Sequence, residues 1–370
     1  MAYEDPVDGV AVEAAPLSEW TARLIETIGT PADVADDVAE ILLAADRRGI
    51  ASHGTARLPQ YVSLVQAGVL DPGARPVLDR SRPALARFHA HNGWGHHAGR
   101  VAVDWAIDAA RSVGSATAVV KNSNHYGIAG WYALRAAHQG LIGLSSTNAS
   151  PLVAPTRARI PMLGTNPIAV AAPAGRHGTF CLDMATSTVP RGRIEVAARR
   201  GEALKEGWAI DAEGRPALTP EAALEGSLQP LGGDEQSRGY KGYGLSLVVD
   251  LLTGVLGGSS SGPDIVSLFD PSGGPSDLGH AFLVVDPAAV DDPGAFEARL
   301  ERLLDRLIGA PTIPGAPARV LFPGEPEREA EALAERRGVP MDREHHATLV
   351  ALGERHGLPF PPTRPLPPRA

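Results

Sequence analysis

A single cysteine, Cys181, occurs in 370 residues, which excludes an intrachain disulfide and any zinc site built from cysteines. Lysine is almost as scarce: only Lys121, Lys205 and Lys241 are present, and arginine supplies the rest of the 34 basic residues. Basic charge is also outweighed, because 43 acidic residues leave a formal net charge of −9. That balance speaks against nucleic acid or an anionic membrane as a partner. Long apolar runs are missing too. The most apolar stretch, 244–258, is interrupted by Asp250 and too short to cross a bilayer. Residues 1–15 are acidic and small rather than basic and apolar, so they read as a disordered leader without an export signal. The chain is therefore expected to be cytoplasmic.

Glycine and proline, at 41 and 33 residues, are abundant and predict many turns. Hydrophobic residues make up 44%, enough for a substantial core. Helical periodicity covers 20–28, 32–48 and 55–67, the second opened by Thr30-Pro31. From residue 85 the pattern changes. Short β-rich runs (85–90, 117–120, 141–146, 168–172, 179–182, 281–285) alternate with helical ones (97–112, 129–139, 190–200, 243–256). Residues 208–215 read as a short hairpin around Asp211–Gly214. Helical patterns return at 295–307, 327–337 and 343–355, before a proline-dense tail at 358–370. This predicts an α/β domain, 81–289, inserted into a helical domain formed by both chain ends, 16–80 and 290–357.

Gly93-Trp94-Gly95-His96-His97-Ala98 fits the dinucleotide fingerprint G-x-G-x-x-G/A between a strand and a helix. Its companion is missing, since no Asp or Glu occurs between Asp108 and Asp183 to bind a ribose. A glycine-rich turn feeding a helix is the favoured reading. His89 and His91 alternate on one strand face, with His97 nearby, which leaves a metal-dependent hydrolase as an alternative. Two other histidines stand among hydroxyls and glycines. His53 lies between two helical runs, and His125 follows a strand in Asn122-Ser123-Asn124-His125-Tyr126-Gly127, where α/β sheets place ligand groups.

Five stretches, in order, carry a resemblance. They are Arg48-Gly49-Ile50-x-Ser52-His53-Gly54-x-x-Arg57, Asn122–Gly127, Gly164-Thr165-Asn166-Pro167, Leu182-Asp183-Met184-Ala185-Thr186 and Lys241-Gly242-Tyr243-Gly244. Together they resemble the malate/L-lactate dehydrogenase family of NAD(P)-dependent oxidoreductases, over about residues 20–340. That family lacks the Rossmann fold and includes ureidoglycolate and sulfolactate dehydrogenases, diketogulonate reductase, and piperideine- and pyrroline-2-carboxylate reductases. The resemblance implies a central mixed sheet of non-Rossmann topology that binds NAD or NADP, which makes the Gly93 fingerprint a decoy. It also implies a homodimer with exchanged termini, the helical ends serving substrate binding and dimerisation.

The activity so implied moves a hydride between nicotinamide and a small 2-hydroxy or 2-oxo acid; reduction of a cyclic imino acid is the alternative within the family. By the same resemblance His125 is the acid/base, and a histidine suits a reversible proton transfer near neutral pH. A carboxylate substrate calls for a planar cation, and Arg57 offers a two-point fork. Ser52 and His53, a turn earlier, stand to bind the reacting oxygen or order the nicotinamide. Tyr61, four residues beyond Arg57, shares its helical face and is expected to line the pocket with Thr165 and Asn166. Asp183, Met184, Ala185, Lys241 and Gly242 are the cofactor positions the resemblance suggests, with Lys241 facing the pyrophosphate. Departures from the family pattern include Ala149-Ser150 for Ser-Asp, and Tyr240 for a histidine after an insertion around 233–239. Arg157 and Arg159 stand where glycines are common, as candidates to meet a 2′-phosphate.

Overall fold

Alternating burial along five short runs, and alanine-rich stripes along two helices, build the centre of the molecule. The structure, a computed structural model, describes residues 9–268, 270–316 and 319–366. The chain opens with β1 (Gly9–Val12), α1 (Ala14–Glu26), α2 (Ala32–Arg47) and α3 (Leu58–Gln66). Then follow β2 (Val77–Arg82), β3 (Leu85–His89), α4 (Gly95–Val113), β4 (Ser115–Ser123), α5 (Ala129–Ala137) and β5 (Ile142–Thr147). After β6 (Ile168–Pro173) and β7 (Thr179–Met184) come α6 (Arg191–Arg200), β8 (Ala209–Ile210), α7 (Pro220–Glu225) and β9 (Ser227–Leu228). The remainder is α8 (Tyr240–Asp250), β10 (Leu278–Val285), α9 (Ala295–Ile308), α10 (Glu325–Arg337), β11 (Val339–Asp342), α11 (Arg343–Arg355) and β12 (Thr363–Pro365).

The main sheet runs β2-β3-β4-β10-β5-β6-β7. β3 and β4 pair in parallel and the other neighbours are antiparallel, so the sheet is mixed. A doubly wound Rossmann sheet would be mostly parallel. Helix α4 buries Ala98, Ala102, Ala106 and Ala110 at every fourth position. Small side chains on one stripe let it lie close against β3, β4 and β10, beside α5 in the same core.

A second core joins both chain ends: Leu24, Leu42, Leu58 and Tyr61 pack with Met341, Leu349 and Leu352. Strand β1 holds this unit together by pairing antiparallel with both β11 and β12. Residues 9–15 were expected in a disordered leader, yet they form β1 and start α1; residues 1–8 lie outside the described set. The proline-dense tail likewise supplies β12, where edge pairing tolerates proline, and residues 367–370 lie outside the described set.

Two features depart from the expected division. Helix α9 does not join the helical ends; its Leu304 packs with Ala174 beyond β6 and with Phe322. A third small lobe, missed in the sequence, has its own core of Val153, Val189, Ile194, Leu204, Ala209 and Leu228. Its strands are two residues each, too short for periodicity to reveal.

Candidate active site

A cleft opens where the three bodies meet. Ser52, His53 and Arg57 come from the helical unit, His125, Ala149, Ser150, Thr165 and Leu278 from the ends of the sheet, and Pro190, Arg191 and Gly192 from the small lobe. The first wall is shaped by a buried carboxylate. Asp46, on α2, accepts from the Thr55 N–H (2.9 Å) and the Thr55 hydroxyl (2.7 Å). A Cβ on Gly54 would lie 1.9 Å from Asp46 Oδ1, so glycine is what lets the chain wrap this carboxylate and present Ser52, His53 and Arg57. Burial pushes the Asp46 carboxyl up to about 7 despite both Thr55 donors.

Arg57 is braced at its base: Nε donates to the Ser52 carbonyl (2.7 Å) and Nη1 to Gln60 Oε1 (3.3 Å). Gln60 in turn donates to the Leu268 carbonyl (2.8 Å), while the Leu268 N–H donates to Ser150 Oγ (2.9 Å). Thus Ser150 ties down the wall at Leu268. Ser52 Oγ lies 2.9 Å from His53 Nδ1. Burial, with Arg57 beside it, pushes the His53 imidazole down to about 4.

The loop after β4 carries His125, whose ring stacks on His53 with centroids 5.6 Å apart. Its Nδ1 lies 2.7 Å from Tyr61 Oη and accepts from the Gly127 N–H at 3.3 Å. Gly127 has φ +81°, and a Cβ there would press on Ile41 at 2.8 Å. Burial, then the neighbouring His53, His96, Arg57 and His280, holds His125 well below its ordinary 6.5. The ring is therefore neutral at neutral pH.

Thr165 reaches the cleft, but Asn166 does not. Asn166 is buried, accepts from the Ala149 N–H (3.1 Å) and donates to the Ser246 carbonyl (3.1 Å), so it staples three segments instead of binding substrate. Tyr61 also departs from expectation: it is buried behind His125 and is not part of the cleft wall. Tertiary packing turned its helical face inward, which a spacing rule from Arg57 could not reveal.

At the end of β7, Asp183 Oδ2 accepts from the Gly130 N–H at 2.7 Å. Solvent reaches this side chain from one side, but surrounding protein raises its carboxyl to about 6, against the Gly130 N–H and the Arg48 charge. Met184 and Ala185 follow, half-buried. The Thr186 N–H donates to the Thr165 carbonyl (2.9 Å), and the Leu231 N–H to the Thr186 carbonyl (2.8 Å). Gly242 lies against that same Leu231: a Cβ on it would fall 2.4 Å from the Leu231 backbone. Packing therefore accounts for this glycine, and the contact brings the start of α8, with exposed Lys241, beside the Thr165–Thr186 shelf.

The other candidates sit elsewhere. Residues 93–99 are buried, and a Cβ on Gly95 would meet the Asn124 carbonyl at 2.0 Å, so no phosphate fits that turn. His97 is engaged by Asp37 (2.7 Å), while His89 and His91 lie on each other with centroids 4.0 Å apart. Among the described residues no group of three His, Cys, Asp or Glu is arranged to hold a metal. The hydrolase alternative loses its ligand set on that geometry. Arg157 makes a two-point pair with Glu235 (2.9 and 2.5 Å), and Arg159 donates to the Ala212 carbonyl (3.2 Å). Arg191 is the wall residue the sequence did not reveal. Its run, 190–200, reads only as a helix, and the small lobe brings Arg191 to the cleft.

A family model described as malate/L-lactate dehydrogenase matches residues 12–350. A malate dehydrogenase from Pyrococcus abyssi is 41% identical over 293 residues, covering 79% of this chain and 80% of that protein. A Delta(1)-pyrroline-2-carboxylate/Delta(1)-piperideine-2-carboxylate reductase from Pseudomonas syringae pv. tomato is 36% identical over 306 residues, covering 81% and 86%. The solved structure of malate dehydrogenase from Pyrococcus horikoshii OT3 superposes with a TM-score of 0.89 at 34% identity, covering 97% of this chain and 100% of that one.

Proposed function

The chain belongs to the malate/L-lactate dehydrogenase family, and from that premise we propose how its cleft works. It is an NAD(P)-dependent oxidoreductase acting between small 2-hydroxy and 2-oxo acids. When bound, the nicotinamide supplies or takes the hydride at the substrate's C2. Two features fit such a cofactor. Asp183 keeps its carboxylate open to solvent on one side, where it can accept from a ribose hydroxyl or a carboxamide. Lys241 adds an ammonium in the first turn of α8, suited to a pyrophosphate, and the space over Gly244, about one turn along, is open, with no described atom within 4 Å of a Cβ there.

The substrate's 1-carboxylate goes to Arg57, whose base is held by Ser52 and Gln60 so that the guanidinium presents a fixed edge. His125 then faces the C2 oxygen and gives or takes its proton, with Ser52 and His53 beside it. A bound carboxylate offsets the Arg57 charge that disfavours the imidazolium, so substrate arrival itself makes His125 easier to protonate.

Arg191 carries the finer reading. It lines the same cleft from the small lobe, at the first turn of α6, where its Nε also donates to Glu195 Oε1 at 3.1 Å. Two guanidinium groups across one small cleft suit a substrate with two anionic groups, as in malate or oxaloacetate, better than a cyclic imino acid with one. The test is NAD(P)H oxidation with a dicarboxylic and a monocarboxylic 2-oxo acid. Arg191→Gln is expected to raise KM at least 10-fold for the first and less than about 2-fold for the second, a loss of one charge-assisted contact. Equal effects on both would contradict the assignment.

We further propose that the chain acts as a cytoplasmic homodimer. The support is the family resemblance and an exposed apolar stripe on α8 and the turn after it, Leu251–Val255, with Leu245, Val248, Leu251 and Val255 at 41, 50, 56 and 68% exposure. No described helix is long and apolar enough to cross a membrane.

A further inference from the structure

Tyr61 and His96 are buried, touch the site from behind, and have no part in the chemistry assigned so far. We propose that Tyr61, backed by His96, is a positioning residue that fixes which ring nitrogen of His125 carries its proton into the cleft. One group's role is not open to choice. A backbone N–H can only donate, and the Gly127 N–H points at His125 Nδ1 from 3.3 Å. Nδ1 is therefore the bare nitrogen, and the proton of the neutral ring sits on Nε2. The Gly127 contact, long at 3.3 Å, reports this tautomer but is too weak to hold it alone, which leaves the holding to the 2.7 Å Tyr61 bond.

Tyr61 Oη, 2.7 Å from the same Nδ1, must then donate its only proton there. Its lone pairs are left facing His96 Nε2, at 3.5 Å. Two bare acceptors would repel, so His96 holds its proton on Nε2 and donates it to Tyr61. The other nitrogen of His96, Nδ1, is buried with no hydrogen-bond partner among the described residues, consistent with a bare lone pair. Burial pushes His96 down to about 3, so the ring stays neutral. The result is one donor line, from His96 through Tyr61 to His125, that ends with the His125 Nε2–H facing the cleft. A neutral donor there matches the carbonyl oxygen of a 2-oxo acid, an acceptor.

This inference rests on His125 being the acid/base, so its test includes a readout that does not depend on turnover. Nitrogen-15 NMR of the cofactor-free protein is expected to find His125 in one tautomer, Nδ1 bare and Nε2 protonated. Tyr61→Phe keeps the ring in the core but removes the hydroxyl, and is expected to give a mixture of both tautomers. In the same variant kcat should fall about 10-fold or more, below the ~10²–10⁴ of the acid/base itself, with KM changed less than about 2-fold. His96→Gln, which keeps an amide donor near Nε2, should retain the single tautomer, and His96→Leu should lose it. An unchanged single tautomer in Tyr61→Phe, or an effect confined to KM, would overturn the proposal. A mixture of tautomers with wild-type turnover would instead count against His125 as the acid/base.

Discussion

Buried imidazoles set the residue scale of this protein. His53, His96 and His280 are held down to about 4, 3 and 3 by burial, and His125 is lowered as well. In the unfolded chain each returns to about 6.5 and binds a proton below that pH. Between pH 6.5 and their folded values the unfolded state therefore holds more protons, and stability falls as pH falls. Asp46 and Asp183 act in the opposite sense. Their folded values, about 7 and about 6, exceed the unfolded value, so acid favours the folded form for these two until the unfolded carboxyls also protonate near pH 4. His89 and His345 are lowered as well and Asp250 is raised, so the lowered imidazoles still outnumber the raised carboxyls. The urea midpoint is expected to be lower at pH 5 than at pH 7, and an equal or higher midpoint at pH 5 would contradict the neutral, buried assignment.

At the scale of elements, α8 separates its two faces cleanly. Inward, Asp250 accepts from Asn148 Nδ2 and the Gly262 N–H, both at 3.2 Å, and the Asn166 amide reaches the Ser246 carbonyl. Outward, the helix and the π-turn that follows it, Leu251–Val255, present apolar side chains and no charge after Lys241. An apolar stripe of this length is costly in water, and the same stripe on a second copy would cover it in the proposed dimer. Introducing a charge tests it: Leu251→Glu is expected to shift the sedimentation coefficient from dimer to monomer while the folded circular-dichroism spectrum persists. A wild type that sediments as a monomer would overturn the dimer, and an unaltered dimer in the variant would remove α8 from its interface. Helix α6 makes a different point. Its run reads as a helix without a sign of which face meets the cleft, and the lobe core of Val189, Ile194 and Ala197 packs it so that Arg191 lines the cleft.

For the whole molecule, the legible parts were those with local signals. Strands β3 to β7 and β10 follow from β-rich runs, and α4 from an alanine stripe of period close to 3.6. Helical patterns that bracket the β-rich centre point to both chain ends, whose residues share one core, although α9 packs elsewhere. What stayed hidden depends on distant pairing. Residues 9–12 carry no strand signal of their own and become β1 only because β11 and β12, over 320 residues away, flank them. Pocket membership was hidden for the same reason. His125, Arg57 and His53 stand in motifs and reach the cleft, whereas Asn166, inside a motif, and Tyr61, just beyond one, turn into the core. Gly93 and Gly95 matched a phosphate fingerprint, yet the Asn124 carbonyl closes on Gly95 where the phosphate would sit.

The central claim is that His125 moves the proton at the substrate oxygen while other residues hold the cofactor. His125→Asn separates these duties most directly, because it keeps a polar side chain near the size of the ring. Cofactor binding, followed by titrating NADH or NADPH fluorescence, is expected to stay within about 2-fold of wild type, while turnover falls roughly 10²–10⁴-fold. Turnover close to wild type, with binding intact, would contradict the account.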